Sequence, residues 1–249
     1  MFLEKRGKMK VELKKKPQGV RLIEGFPGFG LVGTIAAEYL LDHLDVEQIG
    51  RIVTNKLPAF VAVHQGKVIE PLGIFYNKEY NLIIQHAVTN IQGHEWEIAD
   101  SVLDLVKQVK AREIISLEGI GTLGTVGLAP KGKAFYYTSK SETAKKLESL
   151  GLKKLKEGII IGVTGSLLLR ASASDMNMIA LFAETRAGIP DSRAAASLIE
   201  VLDKYIGLRI PIQPLIKKAE EFEDKLQDLF SKVKEAGKEE EQKRAEYIA

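Results

Sequence analysis

The chain has 249 residues, 45% of them hydrophobic and 28% charged, an ordinary globular composition with enough chain for a sizeable core. Its 36 Lys and Arg stand against 33 Asp and Glu, a net charge of +3, which points to neither nucleic acid nor an anionic membrane as partner. There is no cysteine, so disulfides, thiolate catalysis and cysteine-ligated metal are excluded.

Residues 9–14 (MKVELK) alternate apolar and polar, as an edge strand does. VRLIEG (20–25) reads as a more buried strand, broken by GFPGFG. From Leu31 the apolar positions keep helical spacing, which predicts a helix over 30–43. Residues 46–88 give four short β-like runs with turns at Leu57-Pro58, Gln65-Gly66 and Asn77-Lys78 and no helix between them, expected as an antiparallel or mixed part of the same sheet. An amphipathic helix is predicted at 94–109, a buried strand at 112–120, and then a glycine-rich loop. A strand at 135–138 and a helix at 141–151 follow. GIIIGVTGSLLLR (158–170) reads as strand, turn and helix start, 178–188 as a strand, and 192–206 as a helix capped by Asp191 or Ser192. Strands alternating with helices of this length predict a parallel, doubly wound sheet under helices.

The last segment differs in kind. After Pro211 and Pro214, the residues Leu215, Ala219, Phe222, Leu226, Leu229, Val233 and Ala236 step by alternating fours and threes, the a/d seam of a coiled coil or of a packed amphipathic helix. Beyond Gly237 the seam stops, and a charged tail runs to Tyr247, Ile248 and Ala249. The expected organisation is an α/β body over 1–210, an amphipathic, coiled-coil-like helix over 211–236 and a flexible tail over 237–249.

Gly28, Gly30 and Gly33 spell G-x-G-x-x-G between a strand and a helix. A dinucleotide site also needs an acidic residue about 20 positions on, for the ribose. The next strand ends Arg51-Ile52-Val53-Thr54-Asn55, with no carboxylate. The loop is therefore read as a structural turn, with anion binding as the competing reading. The glycines and threonines of Gly119–Gly127 form a second possible anion cradle or a surface loop. Ser166 follows an apolar run but lacks the G-x-S-x-G context of a nucleophile. His94, Glu95 and Glu97 open a helix, where carboxylates complement the dipole. Glu24 and Glu118 fall near the carboxyl ends of strands, where an α/β active site sits; Glu184 and Arg186 either join them or pair together. The four His are scattered, and no metal site, cofactor or catalytic constellation is expected. No apolar run approaches the ~18 residues of a membrane span and the N-terminus lacks an apolar signal core, so a cytoplasmic protein is expected.

GFPGFGLVG, LEGIGT, GVTGSLLL and AETRAGIPDSRAAASLIEVL, in this order across residues 18–208, together resemble the proteasome assembly chaperone family in its archaeal branch. The resemblance implies an α/β/α sandwich similar to nucleoside phosphorylases. It implies a non-enzymatic homo-oligomer that meets the proteasome α-ring through C-terminal tails. Such tails end in a hydrophobic residue, Tyr and any residue. Here Tyr247 is third from last and Glu246 precedes it, so the tail docks in a shifted register, or Ile248 anchors it, or the terminus is not a docking tail. The alternative function is a nucleoside-, nucleotide- or phosphate-handling enzyme using the glycine loops, with Glu24 or Glu118 as acid or base.

Overall fold

The computed structural model describes residues 9–57, 62–64, 67–87, 91–121, 133–185 and 189–217. The strands are β1 (Lys10–Leu13), β2 (Arg21–Gly25), β3 (Glu47–Val53), β4 (Ala62–His64), β5 (Lys67–Ile69), β6 (Leu72–Asn77), β7 (Leu82–Ala87), β8 (Glu113–Gly121), β9 (Ala134–Thr138), β10 (Lys153–Lys154) and β11 (Met178–Thr185). The helices are α1 (Val32–His43), α2 (Glu95–Val109), α3 (Ser141–Ser149), α4 (Gly162–Ser172) and α5 (Ser192–Ile206). A 3-10 turn at Phe29–Leu31 precedes α1.

Among the described residues nine strands form one sheet in the order β1-β3-β6-β7-β2-β8-β11-β9-β10. Its centre, β7-β2-β8-β11, is parallel. β6, β3 and β1 continue it antiparallel on one side, and β9 is antiparallel to β11 on the other. The expected parallel core and antiparallel flank are thus both present. Among its described residues the β-like stretch at 46–88 holds five strands rather than four, and β4 with β5 forms a separate two-stranded sheet. The β10 edge carries charge: Lys153 and Lys154 are exposed there, which discourages pairing with another chain.

Side-chain alternation splits the core. Leu22, Ile83 and Ile114 lie on one face with Ile98, Val102 and Leu105 of α2 and Val163 and Leu167 of α4. Ile23, Ile84, Ile115 and Leu117 point to the other face and are equally buried; there Gly33 of α1 meets the Leu117 carbonyl, and α5 packs on α1. Burying each such aliphatic side chain contributes about 1.5–3 kcal/mol. The central strands read as largely apolar runs because both faces are covered.

Of the two expected caps of α5 one is observed, while the run at 158–161 departs from expectation. Asp191 is the cap of α5, its Oδ1 accepting from the Ala194 amide at 2.9 Å. Residues 158–161 form no strand. Ile159 is 89% exposed and Ile161 61%, so this apolar run is not a buried strand. It pairs with no strand among the described residues.

The chain divides into two compact units, 1–210 and 211–249. In the second unit residues 213–217 are helical, and the Leu215 and Ile216 amides donate to the Ile212 carbonyl, both at 3.1 Å. Ala219, Phe222, Leu226, Leu229, Val233, Tyr247, Ile248 and Ala249 lie outside the described residues.

Candidate functional site

Parallel strand register builds the site. It sets Glu24 of β2 between Gln85 of β7 and Ser116 of β8. Two residues on, Glu118 lies on the same face of β8. This is the carboxyl end of the parallel strands, where α/β folds place ligand sites. The first turn of α4 closes the group with Thr164. Glu24, Gln85, Ser116 and Thr164 are fully buried and Glu118 is 8% exposed.

Hydroxyls join the two carboxyls. Ser116 Oγ donates to Glu24 Oε1 and lies 2.5 Å from Thr164 Oγ1. Thr164 Oγ1 is 2.9 Å from Glu118 Oε1 and 3.4 Å from Glu24 Oε1. Burial pushes the Glu24 carboxyl up to about 7. Burial and then the charge of Glu24 push Glu118 up to about 8. Loss of hydration penalises the ionised form, and one carboxylate beside another does so again. Beside them, Glu24 Oε2 and both amide atoms of Gln85 have no hydrogen-bond partner among the described residues. On the other face His86 of β7 is driven down to about 4 by burial, with Asp42 opposing the shift.

The three glycines are set against this group. A side chain at Gly28 would begin 2.6 Å from Glu118 Oε2, one at Gly30 would collide with Thr185 Oγ1, and one at Gly33 with the Leu117 carbonyl. Gly30 also has φ +61°. Asp191 locks the loop: its amide donates to the Gly30 carbonyl at 2.9 Å, and its Oδ2 accepts from Thr185 at 2.9 Å. The space that close approach of a pyrophosphate requires beside Gly28 therefore holds a carboxyl of the protein itself, which repels an anion whenever it is ionised.

The other candidates are dispersed. Ser166 is on α4 and donates to the Gly162 carbonyl at 3.3 Å. Glu95 accepts from the Gly93 amide at 3.0 Å, and Glu97 pairs with Lys56 at 2.7 Å. Glu184 pairs in register with Ile120, a further step along the strands from Glu118. Arg186 and residues 122–132 lie outside the described residues. Sequence reasoning found both carboxyls but missed Ser116, Thr164 and Gln85. The available signal was polarity inside otherwise apolar runs: Ser in IISLE and Gln in LIIQH. Among the described residues no three or more His, Asp or Glu gather as for a metal ion, and no helix is long and apolar enough to cross a membrane.

A family model for the PAC2 family matches residues 22–230. The chain belongs to that family. It is 34% identical to Pyrococcus furiosus PbaA, described as an archaeal homolog of proteasome-assembly chaperone, covering 94% of this chain and 97% of that one with a TM-score of 0.79. Pyrococcus furiosus PbaB, described as an archaeal proteasome activator, shares the fold at 23% identity and a TM-score of 0.76, covering 89% and 98%. An uncharacterised Methanocaldococcus jannaschii protein is 29% identical over 212 residues, 84% of each chain. The resemblance to archaeal relatives of the proteasome assembly chaperones is thereby shown, as is the mixed α/β fold.

Proposed function

We propose that this chain is a non-enzymatic, homo-oligomeric scaffold that binds the proteasome α-ring and assists its assembly or activation. The observation that carries this reading is the PbaA likeness, which spans nearly the whole of both chains at 34% identity. In the full reading, a nucleoside-phosphorylase-like sandwich carries the heptad-patterned segment from Leu215 to Val233. That segment assembles the copies, and Tyr247, Ile248 and Ala249 dock between α-subunits. Several weak tails on one oligomer gain avidity that a single tail lacks.

The nucleotide-handling alternative is disfavoured by Glu118 against Gly28 and by the missing ribose acid. The test is capture of purified archaeal α-subunits by the full chain and by a chain ending at Ala236. Binding is expected to be lost on truncation while mass and melting temperature hold; unchanged binding removes the tail from the mechanism. Leu226→Asp is expected to lower the oligomer mass in sedimentation. An unchanged mass and melting temperature refutes the seam.

A further inference from the structure

We propose that Glu24, Ser116, Thr164 and Glu118 form one hydrogen-bonded chain that binds a single proton, shared between the two carboxyls, near neutral pH. The inference follows from counting hydrogens. Three short oxygen–oxygen contacts run in series, Glu24 to Ser116, Ser116 to Thr164 and Thr164 to Glu118. Each hydroxyl carries one hydrogen, and an ionised carboxylate carries none. With both carboxyls ionised, three contacts share two hydrogens, and one buried oxygen pair is left facing without a proton between. One carboxyl proton completes the chain. It runs from a protonated Glu24 through Ser116 and Thr164 to an ionised Glu118, or in reverse, and concerted transfer of three hydrogens interconverts the two.

The surroundings support a proton over a counterion from the chain. Buried Glu113, at the opposite end of the same strand, is met by the Arg21 guanidinium at 2.5 Å and the Tyr205 hydroxyl at 2.9 Å. No cationic side chain among the described residues acts on Glu24 or Glu118. What faces them is uncharged: Gln85 from β7, Ser116 from β8, Thr164 from α4, Gly28 from the turn after β2, and the backbone amides of Phe26 and Gly119, which favour the ionised form but do not outweigh burial. Among the described residues the one titratable group acting on Glu118 is Glu24. An unpaired carboxylate so deeply buried takes up a proton rather than remain charged. Loss of the shared proton would set two like charges against Gly28 and the first turn of α4.

The experiment is an infrared pH titration of the full chain with isotopically labelled glutamate, following the protonated-carboxyl stretch. At mildly alkaline pH one protonated carboxyl per chain is expected. It should be absent from Glu24→Gln and from Glu118→Gln, because the new amide supplies the missing hydrogen. In Thr164→Val the signal should persist to higher pH, because Glu118 loses its hydroxyl donor and the chain to Glu24 is cut. A purely structural threonine would leave that midpoint in place. A wild-type chain without a protonated carboxyl, whether bare or holding a metal ion after dialysis, overturns the proposal. So does a signal that survives in both glutamine variants. The wild-type count decides the matter even where a variant fails to fold.

Discussion

Two stretches of this chain look alike as text: LIEGFPGFGLVG at 22–33 and GIIIGVTGSLLLR at 158–170. Each is an apolar run, a glycine turn and the start of a helix. The first becomes a central strand, a packed loop and α1. The second becomes an exposed extended segment followed by α4. The difference lies in what surrounds them. Leu22 and Ile23 have strand partners on both sides, whereas Ile159 and Ile161 have none. Two turn glycines differ in the same way, although Gly165 of the second stretch is also crowded, by the Ile160 carbonyl at 2.7 Å. Gly28 and Gly33 are required because other atoms stand where a side chain would go. Gly162 has φ +83° with nothing near it.

The sharpest way to break this contrast is Gly33→Ala. Its methyl group would meet the Leu117 carbonyl, a backbone atom that cannot swing aside. Overpacking of this kind costs about 1–3 kcal/mol and more where backbone must move, so a loss of at least about 3 kcal/mol in denaturant unfolding is expected. A variant of wild-type stability would show that α1 and β8 are not in close contact.

The second effect is on pH dependence. Glu24 and Glu118 have folded-state values raised to about 7 and about 8, above their unfolded values. Their contribution is therefore fully present below the unfolded value and is lost as pH rises through the folded values. Stability should fall from about pH 4.5 to about pH 8, by on the order of 1.4 kcal/mol for each unit of displacement. Glu24→Gln should flatten that fall and raise the melting temperature in alkali. Equal slopes for variant and wild type would show that the pair is not buried as described.

The smallest effect is expected in the second stretch. Gly162→Ala meets no atom within 4 Å and bears only the left-handed backbone, about 1–2 kcal/mol. A cost matching that of Gly33→Ala would erase the contrast between a crowded glycine and a bent one.

Most of the scaffold was legible in the sequence. Predominantly apolar runs such as LIIQHA and EIISLEG marked strands covered on both faces, and the spacing in α2 and α5 marked helices with one buried side. The run at 158–161 misled because hydrophobicity reports a tendency to be buried, not the presence of a neighbour to pair with. The same limit applies to the site. Glu24 and Glu118 were recognisable as strand-end carboxyls, yet they are 94 positions apart. Ser116 and Thr164 gave no sign of joining them, since a hydroxyl inside an apolar run is equally consistent with an isolated core residue.

By itself, then, the sequence determined the order and kind of the main elements, the absence of cysteine chemistry, the want of a ribose acid after the glycine loop, and the motifs that mark the family. These are properties of composition and local period, which survive without long-range contacts. Only the tertiary structure decided that Glu118 fills the room beside Gly28, that Asp191 ties the loop to α5, and that two carboxyls and two hydroxyls meet in one buried chain. Strand register brings such groups together, and register is settled by the packing of the whole sheet rather than by any one strand.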